Sequence, residues 1–139
     1  MSRLTNFKRQ HREIRELIST ITPLLDRDLL LIEPTQVRYK LSALLGKLMM
    51  HLAMEDRFLY PRLIKSKNRQ IQTTANRFST EMGDLVKVFN DYSKKWLSSS
   101  SIRANPDAFI EDSHDTFRAL LNRVDLEDLE LYPLVEEAG

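Results

Sequence analysis

The chain has 139 residues, 21 basic against 20 acidic, a net charge of +1 at neutral pH and no cysteine. That length is enough for a single domain over 1–139 with its own core. The balanced charge gives no electrostatic case for nucleic acid or a membrane surface, and the missing thiols exclude disulfides, thiolate metal sites and thiol nucleophiles. Three glycines and 8% aromatic residues suit a helical chain better than a sheet with many tight turns. The longest apolar run, Leu29 to Ile32, is far too short to cross a bilayer. The stretch Met1 to Lys8 lacks the apolar centre of a signal peptide, so a cytoplasmic protein is expected.

Four helical segments follow in order. The first is predicted over about Thr5 to Leu25, with Phe7, Ile14, Leu17, Ile18 and Ile21 on one face and Pro23 ending or bending it. Asp26 to Glu33 reads as a connection. The second starts at Pro34, a residue suited to a first helical turn, and carries Leu41, Leu45, Leu48, Leu52 and Leu59 at helical steps. Pro61 should kink its last turns. After a polar break at Ser66 to Asn68, the third spans roughly Arg69 to Leu97, with Phe78, Met82, Leu85, Val88, Phe89 and Tyr92. Ser98 to Ser101 reads as a solvated linker. Asn105-Pro106 is an N-cap followed by proline, a clear start for the fourth helix, which carries Ile110, Phe117, Leu120, Leu121, Val124 and Leu131. Short connections between long amphipathic helices predict an all-α fold, an up-down-up-down antiparallel four-helix bundle.

An eleven-residue phrase occurs twice, 72 residues apart. His51-Leu-Ala-Met-Glu55-Asp-Arg-Phe-Leu-Tyr-Pro61 is matched by Arg123-Val-Asp-Leu-Glu127-Asp-Leu-Glu-Leu-Tyr-Pro133. The apolar pattern repeats with it: Leu45 matches Phe117, Leu48 matches Leu120, Met49 matches Leu121 and Leu52 matches Val124. The first and third helices correspond at a spacing of 71, which sets His11 over Met82. The bundle thus reads as an internal repeat of two hairpins. One offers His11, His51 and Glu55; the other offers Met82, Arg123 and Glu127. Residues four apart on a helix lie one above the other, so His51 and Glu55 can reach one metal ion. Arginine at the matching position cannot, because a guanidinium does not deprotonate in a protein.

These residues resemble the hemerythrin-like (HHE cation-binding) domain family over nearly the whole chain. The likeness rests on Gln10-His11-Arg-Glu-Ile14, on His51-x-x-x-Glu55-Asp-x-x-Leu-Tyr-Pro61 and on Glu127-Asp-x-x-Leu-Tyr-Pro133. It implies a four-helix bundle with a non-haem di-iron centre used for oxygen binding, iron handling or sensing. It implies His11, His51, Glu55 and Glu127 as metal ligands. Two expected histidines are replaced: Met82 stands at a lost ligand position, and Arg123 at the fourth helix's own. Two imidazoles and two carboxylates suit one ion of iron, with manganese or zinc as alternatives. Arg123 is expected to fill the second ion's position, forking Glu55 or Glu127.

The functional expectation is a metal-binding domain for iron or oxygen sensing or iron handling, with the metal ion and O2 as partners and no catalytic residue. The competing reading is a metal-free bundle acting as a regulatory or interaction module, with a protein partner or a second copy unspecified. An oxidative enzyme ranks last, because no substrate pocket is specified and fold alone does not imply chemistry. His114 falls about half a turn from the Arg123 face and is read as a flanking residue, the one spare imidazole if the fourth helix rotates. Tyr60 and Tyr132 are read as packing residues whose hydroxyls cap a helix end or reach a carboxylate. Asp56 and Asp128 are read as exposed salt-bridge residues, with orientation of a histidine as the alternative. The cluster Arg62, Lys65, Lys67 and Arg69 reads as a solvated helix end, since no aromatic interleaves it for nucleic-acid binding. Trp96 is expected to contact a partner or pack over the bundle's edge.

Overall fold

A computed structural model describes residues 4–138; the first three residues of the N-terminal stretch considered above lie outside it. The described residues form helices and no strand. The helices are α1 (Leu4–Ile21), α2 (Arg27–Ile32), α3 (Thr35–Phe58), α4 (Tyr60–Ile64), α5 (Arg69–Lys95), α6 (Ser99–Ala104), α7 (Pro106–Leu126) and α8 (Tyr132–Glu137). A 3-10 turn (Thr22–Leu24) follows α1, and a π-helical turn (Glu127–Leu131) joins α7 to α8.

The long helices form because their apolar residues recur every three or four positions. On α1 the buried residues are Leu4, Phe7, His11, Ile14, Ile18 and Ile21. On α5 they are Ile71, Ala75, Phe78, Met82, Leu85, Phe89 and Tyr92, a stripe of alternating four- and three-residue steps. Val88, expected on that stripe, is 45% exposed because it falls beyond the stripe's edge, about 60° around the helix from Leu85. The starts are capped as their side chains dictate. Asn68 Oδ1 accepts from the backbone of Gln70 and Ile71 at 3.0 and 3.2 Å, and Asn105 Oδ1 accepts from Ala108 N at 3.3 Å ahead of Pro106. Along their lengths α1 packs on α3 and α5 packs on α7, while α1 also meets α7.

Two of the three expected breaks between the helices, Asp26 to Glu33 and Ser98 to Ser101, contain helix. Asp26 caps α2 by accepting from Leu29 N at 3.0 Å, and Leu30 is driven into the core. Ser98 Oγ accepts from Ser101 N at 3.2 Å and starts α6, whose Ile102 is fully buried. The serine run is therefore a capped, docked helix and not a solvated linker. Composition hid this because one isoleucine supplies the anchor. Trp96 packs inside and donates to Asp112 Oδ2 at 3.0 Å.

Two apolar clusters fill the interior. The larger runs through Ile14, Leu48, Met82, Phe89, Phe109 and Leu120; the smaller holds Leu4, Phe7, Tyr60, Phe78, Leu131 and Tyr132. The chain crosses between them at one level on every long helix. On α1 the crossing is at His11, on α3 at His51 to Glu55, on α5 between Phe78 and Met82, and at the end of α7 at Arg123 to Glu127. A polar layer is thereby set between two dry cores. Replacing Ile102 with alanine checks the docking of α6: urea unfolding should show a loss of about 2–5 kcal/mol, whereas a solvated linker would move stability by less than about 0.5 kcal/mol.

Candidate metal centre

Both tyrosine-proline pairs sit where a helix is interrupted, and the interruptions aim the site. Proline lacks an N–H and cannot continue the ladder of bonds, so the turn before it must distort. In the first copy α3 stops at Phe58, Leu59 adopts φ −114°, and α4 restarts at Tyr60. In the second copy the chain stays helical but widens, and Tyr132 N bonds to Glu127 O, five residues back. Five residues along an ideal α-helix point about 140° apart. The wider turn brings Tyr132 back toward the face of Glu127, so both side chains are buried at one level.

His11, His51, Glu55 and Glu127 each present a ligand atom, and these atoms lie within 4.8 Å of one another. The four residues are 0–1% exposed. His11 Nε2 is 3.1 Å from His51 Nε2 and 3.0 Å from Glu127 Oε1. His51 Nε2 is 3.2 Å from Glu55 Oε1 and 3.8 Å from Glu127 Oε1. Glu55 Oε1 takes no well-directed hydrogen bond from any protein group despite its burial.

The outer nitrogens fix which ring atoms face inward. His11 Nδ1 lies 2.8 Å from Asp128 Oδ1, whose other oxygen accepts from Arg15 at 2.6 Å. His51 Nδ1 lies 2.6 Å from Gln10 Oε1, and the Gln10 amide nitrogen faces Met54 Sδ at 3.3 Å. Each acceptor requires a proton on Nδ1, so each Nε2 turns a lone pair to the interior. Two such lone pairs 3.1 Å apart repel unless a proton or a cation lies between them. The donor set therefore fits a cation.

The remaining carboxylate oxygens are bound by phenols in a crossed pattern. Tyr60 of the first copy donates to Glu127 Oε2 of the second at 2.5 Å, and Tyr132 donates to Glu55 Oε2 at 2.8 Å. Tyr132 also stacks on the His11 ring, with centroids 5.3 Å apart. Without a metal the protons redistribute. Burial opposes charging His51, but the close carboxylates of Glu127 and Glu55 prevail and push it up to about 9. Burial, then the charge of Glu127, pushes Glu55 up to about 8. Burial works against ionised Glu127 too, yet the hydrogen bond with His11 and the neighbouring His51 imidazole hold it well below the usual carboxylate range. Burial and the two carboxylates push both tyrosines far upward, which keeps them hydrogen-bond donors.

Residues 2–135 match the model of the Hemerythrin HHE cation binding domain. The chain belongs to the hemerythrin family. No curated protein and no solved structure matches it.

In this hemerythrin domain Met82 and Arg123, where the resemblance implied histidines, lie on the packed helices α5 and α7. Met82 is buried among apolar residues as part of the larger core. Arg123 is buried at 8% exposure but does not fork Glu55 or Glu127. Its Nη2 donates to Glu81 Oε1 at 2.9 Å, and its guanidinium lies 4.8 Å from the centre of the Phe78 ring. Glu81, half-exposed on the neighbouring helix, takes the guanidinium instead. Arg123 Nη1 is left buried without an acceptor. His114 is exposed and outside the cluster, and Asp56 is exposed as expected. Asp128 carries both roles considered for it, pairing with Arg15 and holding His11.

Sequence reasoning missed Gln10 as a holder of His51, Glu81 as the partner of Arg123, and the exchange of tyrosines between the copies. The only available signal was the adjacency of Gln10 to His11 and the recurrence of tyrosine five residues after each glutamate. Replacing Arg123 with methionine checks the corrected pairing. The half-exposed Glu81 is not stranded and an unpaired donor is removed, so the free energy of urea unfolding should stay within about 1 kcal/mol of wild type. A loss of about 3–5 kcal/mol would indicate a closed ion pair with Glu55 or Glu127.

Proposed function

We propose that this hemerythrin-family domain binds one metal ion through His11 Nε2, His51 Nε2, Glu55 Oε1 and Glu127 Oε1. The observation that carries the reading is the pair of inward imidazole nitrogens 3.1 Å apart beside an unpartnered buried carboxylate oxygen. One cation removes the repulsion and supplies the missing partner together. Asp128 and Gln10 act as outer holders that fix ring orientation and raise ligand basicity.

Two nitrogens and two oxygens suit iron, manganese or zinc, and we favour iron. Iron at this site would supply a one-electron couple and affinity for dioxygen. Burial keeps the ion from bulk water, which suits an iron- or oxygen-sensing or iron-handling domain better than a catalyst that must admit and release a substrate. We read the architecture as a single domain over 1–139, an antiparallel up-down-up-down four-helix bundle of two repeated hairpins. The crossed tyrosines and the common level of the polar layer on all four long helices support that reading. The loss of one hairpin's histidines supports one ion over two.

Elemental analysis of protein purified from iron-replete cells should give about one ion per chain. Removing it with a chelator should lower the melting temperature. An ion at a hundred times its Kd contributes about 2.7 kcal/mol, which for a chain of this size is roughly 6–10 °C. Two ions per chain would contradict the one-ion reading. A metal-free protein that melts identically with and without chelator would favour the interaction module.

A further inference from the structure

We infer that Tyr60 and Tyr132 are positioning residues that set how many ions the site holds, by making each carboxylate offer one oxygen only. The inference rests on the one-ion reading and explains how the fold enforces it. Each glutamate has two oxygens with different fates. Glu127 Oε2 accepts from Tyr60 at 2.5 Å and Glu55 Oε2 accepts from Tyr132 at 2.8 Å. The two Oε1 atoms face the imidazoles.

A carboxylate that bridges two ions gives one oxygen to each, so an Oε2 held by a phenol is withdrawn from bridging. Chelation of one ion by both oxygens is withdrawn by the same bond. Hydrogen bonds to a carboxylate are among the strong ones, and these lie where water does not compete. The crossing of the pairs adds rigidity, because each copy's tyrosine is fixed by the other copy's glutamate. Neither carboxylate can rotate without breaking a bond that spans the two halves. Both phenols approach from the helix interruptions described above: the first copy's restart at Tyr60 and the second copy's π turn before Tyr132. The distortions before the prolines thus serve the carboxylates. Arg123 and Met82 remove nitrogen ligands from the site, and the tyrosines remove the bridging oxygens.

Cobalt(II) tests this, because the strength of its visible bands falls as coordination number rises. Wild-type protein should take up one cobalt and show the intense bands of a low-coordinate ion. Tyr60→Phe and Tyr132→Phe delete only a hydroxyl and free one Oε2 each. The double variant should bind cobalt about 10- to 100-fold more weakly. Its bands should weaken several-fold per bound ion as the carboxylates chelate, or its stoichiometry should rise above one. Far-ultraviolet dichroism of the metal-free variants checks the fold. A folded double variant with wild-type spectrum and stoichiometry overturns the inference and leaves the one-ion reading standing. Weak high-coordinate bands in the wild type itself also overturn it, even if a variant fails to fold. A wild type that takes up no cobalt overturns both.

Discussion

Two imidazole nitrogens face each other at 3.1 Å in a part of the protein that water does not reach. Everything around them follows from the need to make that approach tolerable. Asp128 and Gln10 take the outer ring protons and so force the inner lone pairs together. Glu55 and Glu127 supply the negative charge that favours a proton or a cation between them. Tyr60 and Tyr132 satisfy the carboxylate oxygens that the imidazoles do not reach. A cluster of four ionisable side chains with almost no exposure is expensive to bury. It persists because nearly every polar atom has a partner, and the one exception within the cluster, Glu55 Oε1, faces the imidazoles.

The polar layer is placed by the packing on both sides. Each long helix carries apolar residues of one cluster below the layer and of the other above it, so the layer cannot slide without exposing a core residue. Prolines sit at the boundary twice, and the local distortions they impose turn the following tyrosines inward. The two copies solve the same problem differently. The first breaks the helix and restarts it, while the second widens one turn by a residue. Both end with a phenol on the opposite copy's carboxylate.

Periodicity made much of this legible. The stripes on α1 and α5 follow three- and four-residue steps, and the His51–Glu55 pair at one helical turn could be placed on an inner face without a structure. Local signals at Asn68 and Asn105 were equally direct, because a cap acts within four residues. What stayed hidden depends on partners far apart in the chain. Nothing near Arg123 says that Glu81, 42 residues away, will take its guanidinium. The crossing of Tyr60 and Tyr132 could not be separated from a pairing within each copy until the helices were set side by side. The serine run misled because low complexity is a statement about composition, and a single buried Ile102 outweighs it.

X-ray absorption at the metal edge of the protein as purified tests the central claim most directly. The expected spectrum has a first shell of nitrogen and oxygen, including two imidazoles, and no heavy scatterer beyond it. A second metal at about 3.5–4 Å, the separation of ions in two-metal sites, would contradict a single-ion centre. A sulfur in the first shell would contradict the placement of Met82 in the apolar core.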